Sequence, residues 1–222
     1  MSAGELAAFV AAHTERCSVP FVPELALRQA TEATPLWHAT ADAMGAREPP
    51  FWAFAWPGGV ALARYVLDAP HVVRGARVLD VACGGGIVTL ACAGAGAAHV
   101  LAVDADALAV EACRMNVHDA CIHAHAVATR VAIVDTHVTS LALLEGIDVV
   151  VAGDVFYDRA MSEDMCAFLG TARARGARVL IGDPGRSYVP TRGVRECARY
   201  DLPTLPELES VPRKLTRVLE LL

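Results

Sequence analysis

The 222-residue sequence contains no C-x-x-C pair, no internal repeat, no low-complexity tract and no block of like charges. Its seven cysteines (17, 83, 92, 113, 121, 166 and 197) are odd in number and lie mostly among Ala, Val and Leu. They read as reduced, buried thiols, which argues against a disulfide framework and for a reducing compartment. No basic run opens the chain, where Glu5 and Glu15 stand instead, so no signal or transit peptide is expected and a cytoplasmic setting is. Basic residues are outnumbered, 19 against 25, for a net charge of −6, which speaks against nucleic-acid binding by phosphate neutralisation. The GxSxG and HExxH signatures are missing, and with them the commonest hydrolase readings. Cys121, His123 and His125 alternate without an evident fourth ligand, so no metal site is expected.

What is present is apolar. Hydrophobic residues make up 55 %, enough for a sizeable core, and the length fits one domain or two at most. Residues 81–103 carry no formal charge and are long enough to cross a bilayer. Gly84, Gly85 and Gly86 near the start of that run, and Gly94, Gly96 and His99 near its end, favour a loop, a buried helix and a buried strand over a membrane span. Residues 1–48 read as helical, with capping-box spacing at Ser2 and Glu5, a Thr34-Pro35 start and a Gly45 stop. Residues 49–59, PPFWAFAWPGG, suit an extended linker, and 60–68 an amphipathic helix. From residue 77 short aliphatic runs alternate with helical segments. Strands are predicted at 77–82, 100–103, 130–134, 147–152 and 177–182, and helices near 86–97, 106–116 and 158–169. Near-continuous apolar strands separated by helices imply a parallel sheet covered on both faces. The segments 198–202 and 215–221 read as two further strands, an antiparallel pair.

Chemistry concentrates where the predicted strands end. In VLDVACGGGIVTL (78–90) a strand ends at Asp80 and a glycine loop leads into a helix. Such a loop lets the backbone approach a ligand and presents free N–H groups at a helix N-terminus. The spacing D-x-A-x-G-x-G lacks the P-loop lysine and differs from the dinucleotide fingerprint. A tight turn that binds nothing is the alternative. Asp104 ends the next strand, 24 residues after Asp80, where an acid accepts hydrogen bonds from ribose hydroxyls; a helix cap is the other reading. Asp106 reads as the cap of the following helix. In IDVVVAGDVFYD (147–158), Asp154 and Tyr157 follow a buried strand. A carboxylate and a phenol there suit an amine and its proton, against a cap and a packing aromatic. Trp52 and Trp56 suit either a cofactor or cation pocket or ordinary core. Asp183-Pro184-Gly185 is a turn, and Arg186 beyond it is either functional or, the commoner case, solvated.

Asp80-x-Ala82-x-Gly84-x-Gly86, then Asp104, then Asp154-Val-Phe-Tyr157, resembles a seven-β-strand S-adenosylmethionine methyltransferase. The segments FWAFAWPGG (51–59), GDVFYD (153–158) and VLIGDPGR (179–186) resemble, more narrowly, the electron transfer flavoprotein β-subunit lysine methyltransferase family. The resemblance implies an α/β, Rossmann-like, mostly parallel seven-stranded sheet of order 3-2-1-4-5-7-6 with strand seven antiparallel. Helices cover both faces, and a helical extension (1–48), a substrate lid or a packing element, precedes the methyltransferase domain (49–222). It implies S-adenosylmethionine as methyl donor and a protein lysine as acceptor, on the flavoprotein β-subunit and, secondarily, a ribosomal protein. Asp80, Gly84 and Gly86 would be cofactor-binding, the two glycines facing the methionine part of the cofactor, with Asp104 at its ribose and Asp135 at its adenine. Trp56 would line the pocket, and Asp154 and Tyr157 would sit by the acceptor amine. The sequence departs from the pattern at Ala82, in the place of the first glycine, where a methyl is tolerated at negative φ, and at Leu219, where Trp is expected. A small-molecule amine methyltransferase and a non-catalytic nucleotide-binding module of the same fold are the competing readings.

Overall fold

The computed structural model describes residues 1–45, 49–123, 130–204 and 206–222. The chain opens with α1 (Ala3–His13), whose N-terminus is closed by the expected capping box: the Ser2 hydroxyl accepts from the Glu5 N–H and the Glu5 carboxylate accepts from the Ser2 N–H. A β-hairpin follows, β1 (Glu15–Val19) and β2 (Val22–Gln29), where the sequence reads as helix. The expectation of a wholly helical extension is therefore corrected. The hairpin inserts Val19, Val22 and Leu27 into the core and turns through Phe21 at a φ of 74°. α2 (Ala33–Met44) begins at Glu32 with no side-chain cap and ends on Gly45, left-handed at a φ of 66°, as its place predicts.

α3 (Pro57–Asp68) starts three residues before the expected helix, with Pro57 at its first position, where a missing N–H costs nothing. A single 3₁₀ turn, Phe51–Ala53, stands in the expected extended linker. Then come β3 (Arg77–Val81), α4 (Ile87–Gly94), β4 (His99–Asp104), α5 (Ala107–His123), β5 (Arg130–Asp135), β6 (Val149–Gly153), α6 (Arg159–Ala174), β7 (Arg178–Asp183), β8 (Val194–Pro203), α7 (Pro206–Glu209) and β9 (Arg213–Leu221). The seven strands from β3 onward form one sheet in the order β5-β4-β3-β6-β7-β9-β8. Numbered by themselves in chain order they read 3-2-1-4-5-7-6. The first five are parallel and β9 runs antiparallel to both neighbours.

Alternation along the strands supplies two cores. Val78, Val100, Val149, Val151 and Leu180 face α3 and α4, whereas Leu79, Val81, Val150, Ala152, Val179 and Ile181 face α6 through Met165, Phe168 and Leu169. Leu219, in the place of the expected Trp, is buried in the second core opposite Ile181. The apolar stretch 81–103 is the end of β3, the glycine loop, α4 and most of β4, and among the described residues no helix is long and apolar enough to cross a membrane.

The N-terminal unit is tied to the sheet's working edge. The buried Asn116 amide of α5 accepts from the Arg28 N–H of β2 at 2.8 Å and donates to the Gly85 carbonyl of the glycine loop at 2.8 Å. Arg28 also pairs with Asp119 at 3.1 Å, and the Gln29 side chain accepts from the Ala55 N–H. These bonds make the hairpin a brace for the loop.

Candidate active site

Parallel strands carry their ligand-binding loops beyond their C-terminal ends, at the point where neighbouring connections diverge. In this sheet that point lies between β3 and β6, whose crossovers leave in opposite directions. A cleft of about 790 Å³ opens there. Its walls include Phe51, Trp56, Gly84, Asp104, Asp154, Tyr157 and Arg186. A smaller void beneath the glycine loop is lined by Asp80, Ala82, Gly84 and Trp56, among others.

The glycine loop turns through three left-handed residues, Ala82 (φ 54°), Gly84 (φ 51°) and Gly86 (φ 85°). Gly86 caps α4, and a Cβ on it would lie 2.6 Å from the Cys113 sulfur, so the helix can approach α5 only because that position is glycine. Ala82 does not have the negative φ at which a methyl is tolerated. An alanine held there costs about 1–2 kcal/mol, and part of that would be returned by the greater freedom of glycine in the unfolded chain. Ala82→Gly is accordingly expected to stabilise the protein by up to about 1 kcal/mol, read as a higher thermal midpoint. A lower midpoint would show that the alanine methyl makes a contact worth more than the strain.

Asp80 is buried and accepts from the Thr89 hydroxyl at 2.6 Å across the loop. Burial pushes its carboxyl up to about 7, against the Thr89 hydrogen bonds, which act the other way. Between about pH 4, where an unfolded aspartate titrates, and about 7, the folded protein holds a proton that the unfolded chain has lost. Stability from this group therefore falls as pH rises through that window. Asp80→Asn should flatten the decline and raise the urea midpoint at pH 8 while leaving it nearly unchanged at pH 4.5. An equal change at both values would contradict the buried-carboxyl account.

Asp104 closes β4. Its two oxygens accept from the Gly84 N–H at 2.9 Å and the Asp106 N–H at 3.0 Å, which leaves further lone pairs toward the cleft. Burial raises its carboxyl above the ordinary range, countered by those N–H groups. Asp106 caps α5 through the Leu108 N–H at 2.8 Å, as its position predicts. Asp135 stands one strand over, in register with Asp104, and is exposed; His137, Val138 and Thr139 just beyond it are the residues of that connection that line the cleft. The alternating Cys121, His123 and His125 run into the undescribed segment, where His125 lies. Among the described residues no cluster of His, Cys, Asp or Glu is placed to hold a metal.

Asp154 is the most constrained group of the site. It follows β6 with a φ of 58°, and its N–H donates to the Gly182 carbonyl of β7 at 2.9 Å. One carboxylate oxygen accepts the Gly58 N–H at the start of α3, where the helix dipole favours an anion. The other accepts from the Arg186 Nε–H at 2.8 Å, with Nη2 2.6 Å away as an ion pair. Burial pushes its carboxyl up to about 6 despite the Arg186 charge and the Gly58 N–H, both of which lower it. The role of capping α6, an alternative for Asp154, is filled by Asp158 through the Met161 N–H at 3.0 Å. Tyr157 lines the cleft 45 % exposed, its ring 5.3 Å from Phe51, while Phe156 is fully buried. Trp56 donates its indole N–H to the Phe51 carbonyl at 2.8 Å, and the Arg186 guanidinium lies 5.7 Å from its ring centroid.

Sequence reasoning missed Glu209 and favoured the solvated reading of Arg186. The Asp183 carboxylate accepts from the Gly185 and Arg186 N–H groups, and this turns Arg186 back over the sheet edge. The turn was legible; that the arginine beyond it folds inward was not. Glu209, buried in the β8–β9 connection, accepts from Arg186 at 2.5 and 3.1 Å and pairs with Lys214 at 2.5 Å. Nothing in its local sequence distinguishes it from an exposed turn acid.

The family model for ribosomal protein L11 methyltransferase (PrmA) matches residues 62–155, the stretch from α3 through β6. The electron transfer flavoprotein beta subunit lysine methyltransferase of Xenopus laevis is 37 % identical over 201 residues, covering 87 % of this chain and 78 % of that protein. The Homo sapiens protein of the same name is 37 % identical over 186 residues, covering 82 % and 67 %. Among solved structures, a Pyrococcus horikoshii protein described as an RNA methyltransferase superposes with a TM-score of 0.55 at 17 % identity, covering 84 % of this chain and 96 % of that one, a likeness of fold alone.

Proposed function

Because this chain belongs to the electron transfer flavoprotein beta subunit lysine methyltransferase family, we propose that it methylates a lysine side chain of that subunit at the Asp154 end of the cleft. The chain is an S-adenosylmethionine-dependent methyltransferase. Its residues fit that cofactor. The glycine loop presents main chain to the cleft, Asp104 keeps lone pairs for a diol, and aromatic Phe51 and Trp56 wall the same space. When bound, S-adenosylmethionine supplies a methyl group on a sulfonium, already activated for transfer.

The protein's own work is then alignment and proton handling. A free lysine has a pKa of ~10.4, so about one in a thousand is neutral near pH 7. Asp154 accepts a hydrogen bond from the incoming nitrogen, fixes its lone pair along the cleft and takes up the proton that must leave. A carboxylate stabilises the ammonium form, so Asp154 acts by position and relay and not by lowering the amine's pKa; partial desolvation between Phe51, Trp56 and Tyr157 does that. Gly84 and Gly86 serve the methionine end, above Asp80, and Asp104 the ribose. Asp135, exposed beside Asp104, is assigned no contact.

The observation that carries this reading is a buried carboxylate, 8 % exposed, opening onto the same cleft as the glycine loop and Asp104. The family-model match to ribosomal protein L11 methyltransferase covers the cofactor half of the chain. It supports a shared cofactor and gives no ground for preferring a ribosomal acceptor. The net charge of −6 supports a protein acceptor over a nucleic acid. Calorimetric titration with S-adenosylmethionine, and with NADH as control, tests the cofactor half. Micromolar binding of the sulfonium compound alone, lost in Asp104→Ala, is expected; equal binding by that variant would remove Asp104 from the site.

A further inference from the structure

A carboxylate offers about four lone-pair positions. At Asp154 one is taken by the Gly58 N–H and one by the Arg186 Nε–H, and the Arg186 Nη2, 2.6 Å from the same oxygen as Nε, completes an ion pair. The residue is buried apart from a sliver that faces the cleft. Arg186 is itself held from three sides. Asp183 fixes its backbone, Glu209 grips its guanidinium with both oxygens, and Trp56 lies against it. Glu209 is anchored in turn by Lys214, the chain's single lysine. Asp154, Arg186, Glu209 and Lys214 thus form a chain of alternating charge that ends at the acceptor end of the cleft.

We propose that Arg186, braced by Glu209, is a positioning residue for Asp154: it holds the buried carboxylate as an anion in one orientation and leaves acceptor capacity on it for the amine. The inference rests on Asp154 receiving that amine. Without a fixed cation, burial would favour the protonated carboxyl, which cannot take up the lysine proton. A solvated arginine would be screened and mobile. The Nε–H bond to one Asp154 oxygen, with Nη1 and Nη2 bonded to the two oxygens of Glu209, supplies charge and direction together. The other charged groups near Asp154 are Asp183 of β7, which acts against ionisation, and Glu209 and Lys214, which offset one another. Arg217 faces Asp183 and offsets it.

The test is a carbon-13 titration of the Asp154 carboxyl, assigned by its loss in Asp154→Asn, in the wild type and in Arg186→Gln and Arg186→Lys. The midpoint, about 6 in the wild type, should rise to about 7–9 in Arg186→Gln, since an adjacent opposite charge depresses a carboxyl to about that extent. It should stay near 6 in Arg186→Lys. Methyl transfer by Arg186→Gln at pH 7 should fall by about twofold at the lower end of that range and about ninetyfold at the upper end, and recover as pH is raised. Arg186→Lys should keep the wild-type pH profile at reduced kcat. An Asp154 midpoint in Arg186→Gln equal to that of the wild type overturns the proposal. Should Arg186→Gln fail to fold, a shifted pH profile in Arg186→Lys overturns it as well. Failure of the lysine reading would show differently, as wild-type protein that transfers no methyl to any lysine.

Discussion

Asp154→Asn is expected to reduce methyl transfer by roughly 10²–10⁴-fold, the range a positioned acid or base contributes, while S-adenosylmethionine affinity changes by less than about threefold. Asparagine is nearly isosteric, tolerates the left-handed conformation that Asp154 adopts at a φ of 58°, and retains an oxygen for the Gly58 N–H. It loses the charge and the capacity to take a proton. Arg186 keeps Glu209, so the neighbourhood need not collapse. The variant therefore separates chemistry from folding. Single-turnover rates and calorimetric titration read the two quantities independently, and an equal loss in both would mean that Asp154 supports the cofactor site and not the acceptor.

The largest expected effect on stability is at Gly182. A Cβ there would lie 2.1 Å from the Gly58 carbonyl oxygen, 2.8 Å from the Gly58 carbonyl carbon and 2.8 Å from Leu62 Cγ. Two of those atoms are main chain, which cannot yield by changing a rotamer. Gly182→Ala is expected to cost at least about 3 kcal/mol, the upper end of ordinary overpacking, read as a lower urea midpoint. Any relief must push α3 off the sheet, and Gly58 is also the residue whose N–H holds Asp154. Transfer by the folded fraction should fall too. A wild-type midpoint would mean that α3 and β7 are not in the contact described. The same junction explains Gly58, Gly59 and Gly153. A Cβ on Gly58 would meet Asp154 within 2.6 Å, and one on Gly153 would meet Gly59 within 3.0 Å.

These glycines mark the limit of what the sequence could disclose. Pro57-Gly58-Gly59 has the composition of a helix breaker, and the expected helix was placed after it. In the folded protein those residues are the first turn of α3, because proline is welcome at the first position and only glycine lets the helix sit on the strand ends. The hairpin of β1 and β2 was invisible for a related reason. Its exposure does not alternate; β1 is open on four successive residues, and its buried positions Val19, Val22 and Leu27 fit no period of two. Tertiary bonds from Asn116 and Ala55 hold it in place. The parallel strands were legible since burial on both faces demands unbroken aliphatic runs, and the antiparallel tail was legible as a separate pair.

At the site, the acids that end strands could be read directly. Asp80, Asp104 and Asp154 each close an aliphatic run and are followed by a loop, and the fold brings those strand ends to one edge. Asp135 meets the same local description and stands exposed, in register with Asp104. Arg186 and Glu209 could not be read, since their partnership joins the end of β7 to a connection more than twenty residues away.

The central claim is transfer of a methyl group to lysine from the Asp154 end of the cleft. Its most direct test is incubation of the purified protein with labelled S-adenosylmethionine and recombinant electron transfer flavoprotein β-subunit, followed by mass-spectrometric mapping. Lys214 is the only lysine the protein itself contributes, so label elsewhere on lysine belongs to the acceptor. The account predicts label on a lysine of the β-subunit, absent with Asp154→Asn and absent when the subunit's lysines are blocked. Undiminished label with Asp154→Asn, or label on a residue other than lysine, would contradict it.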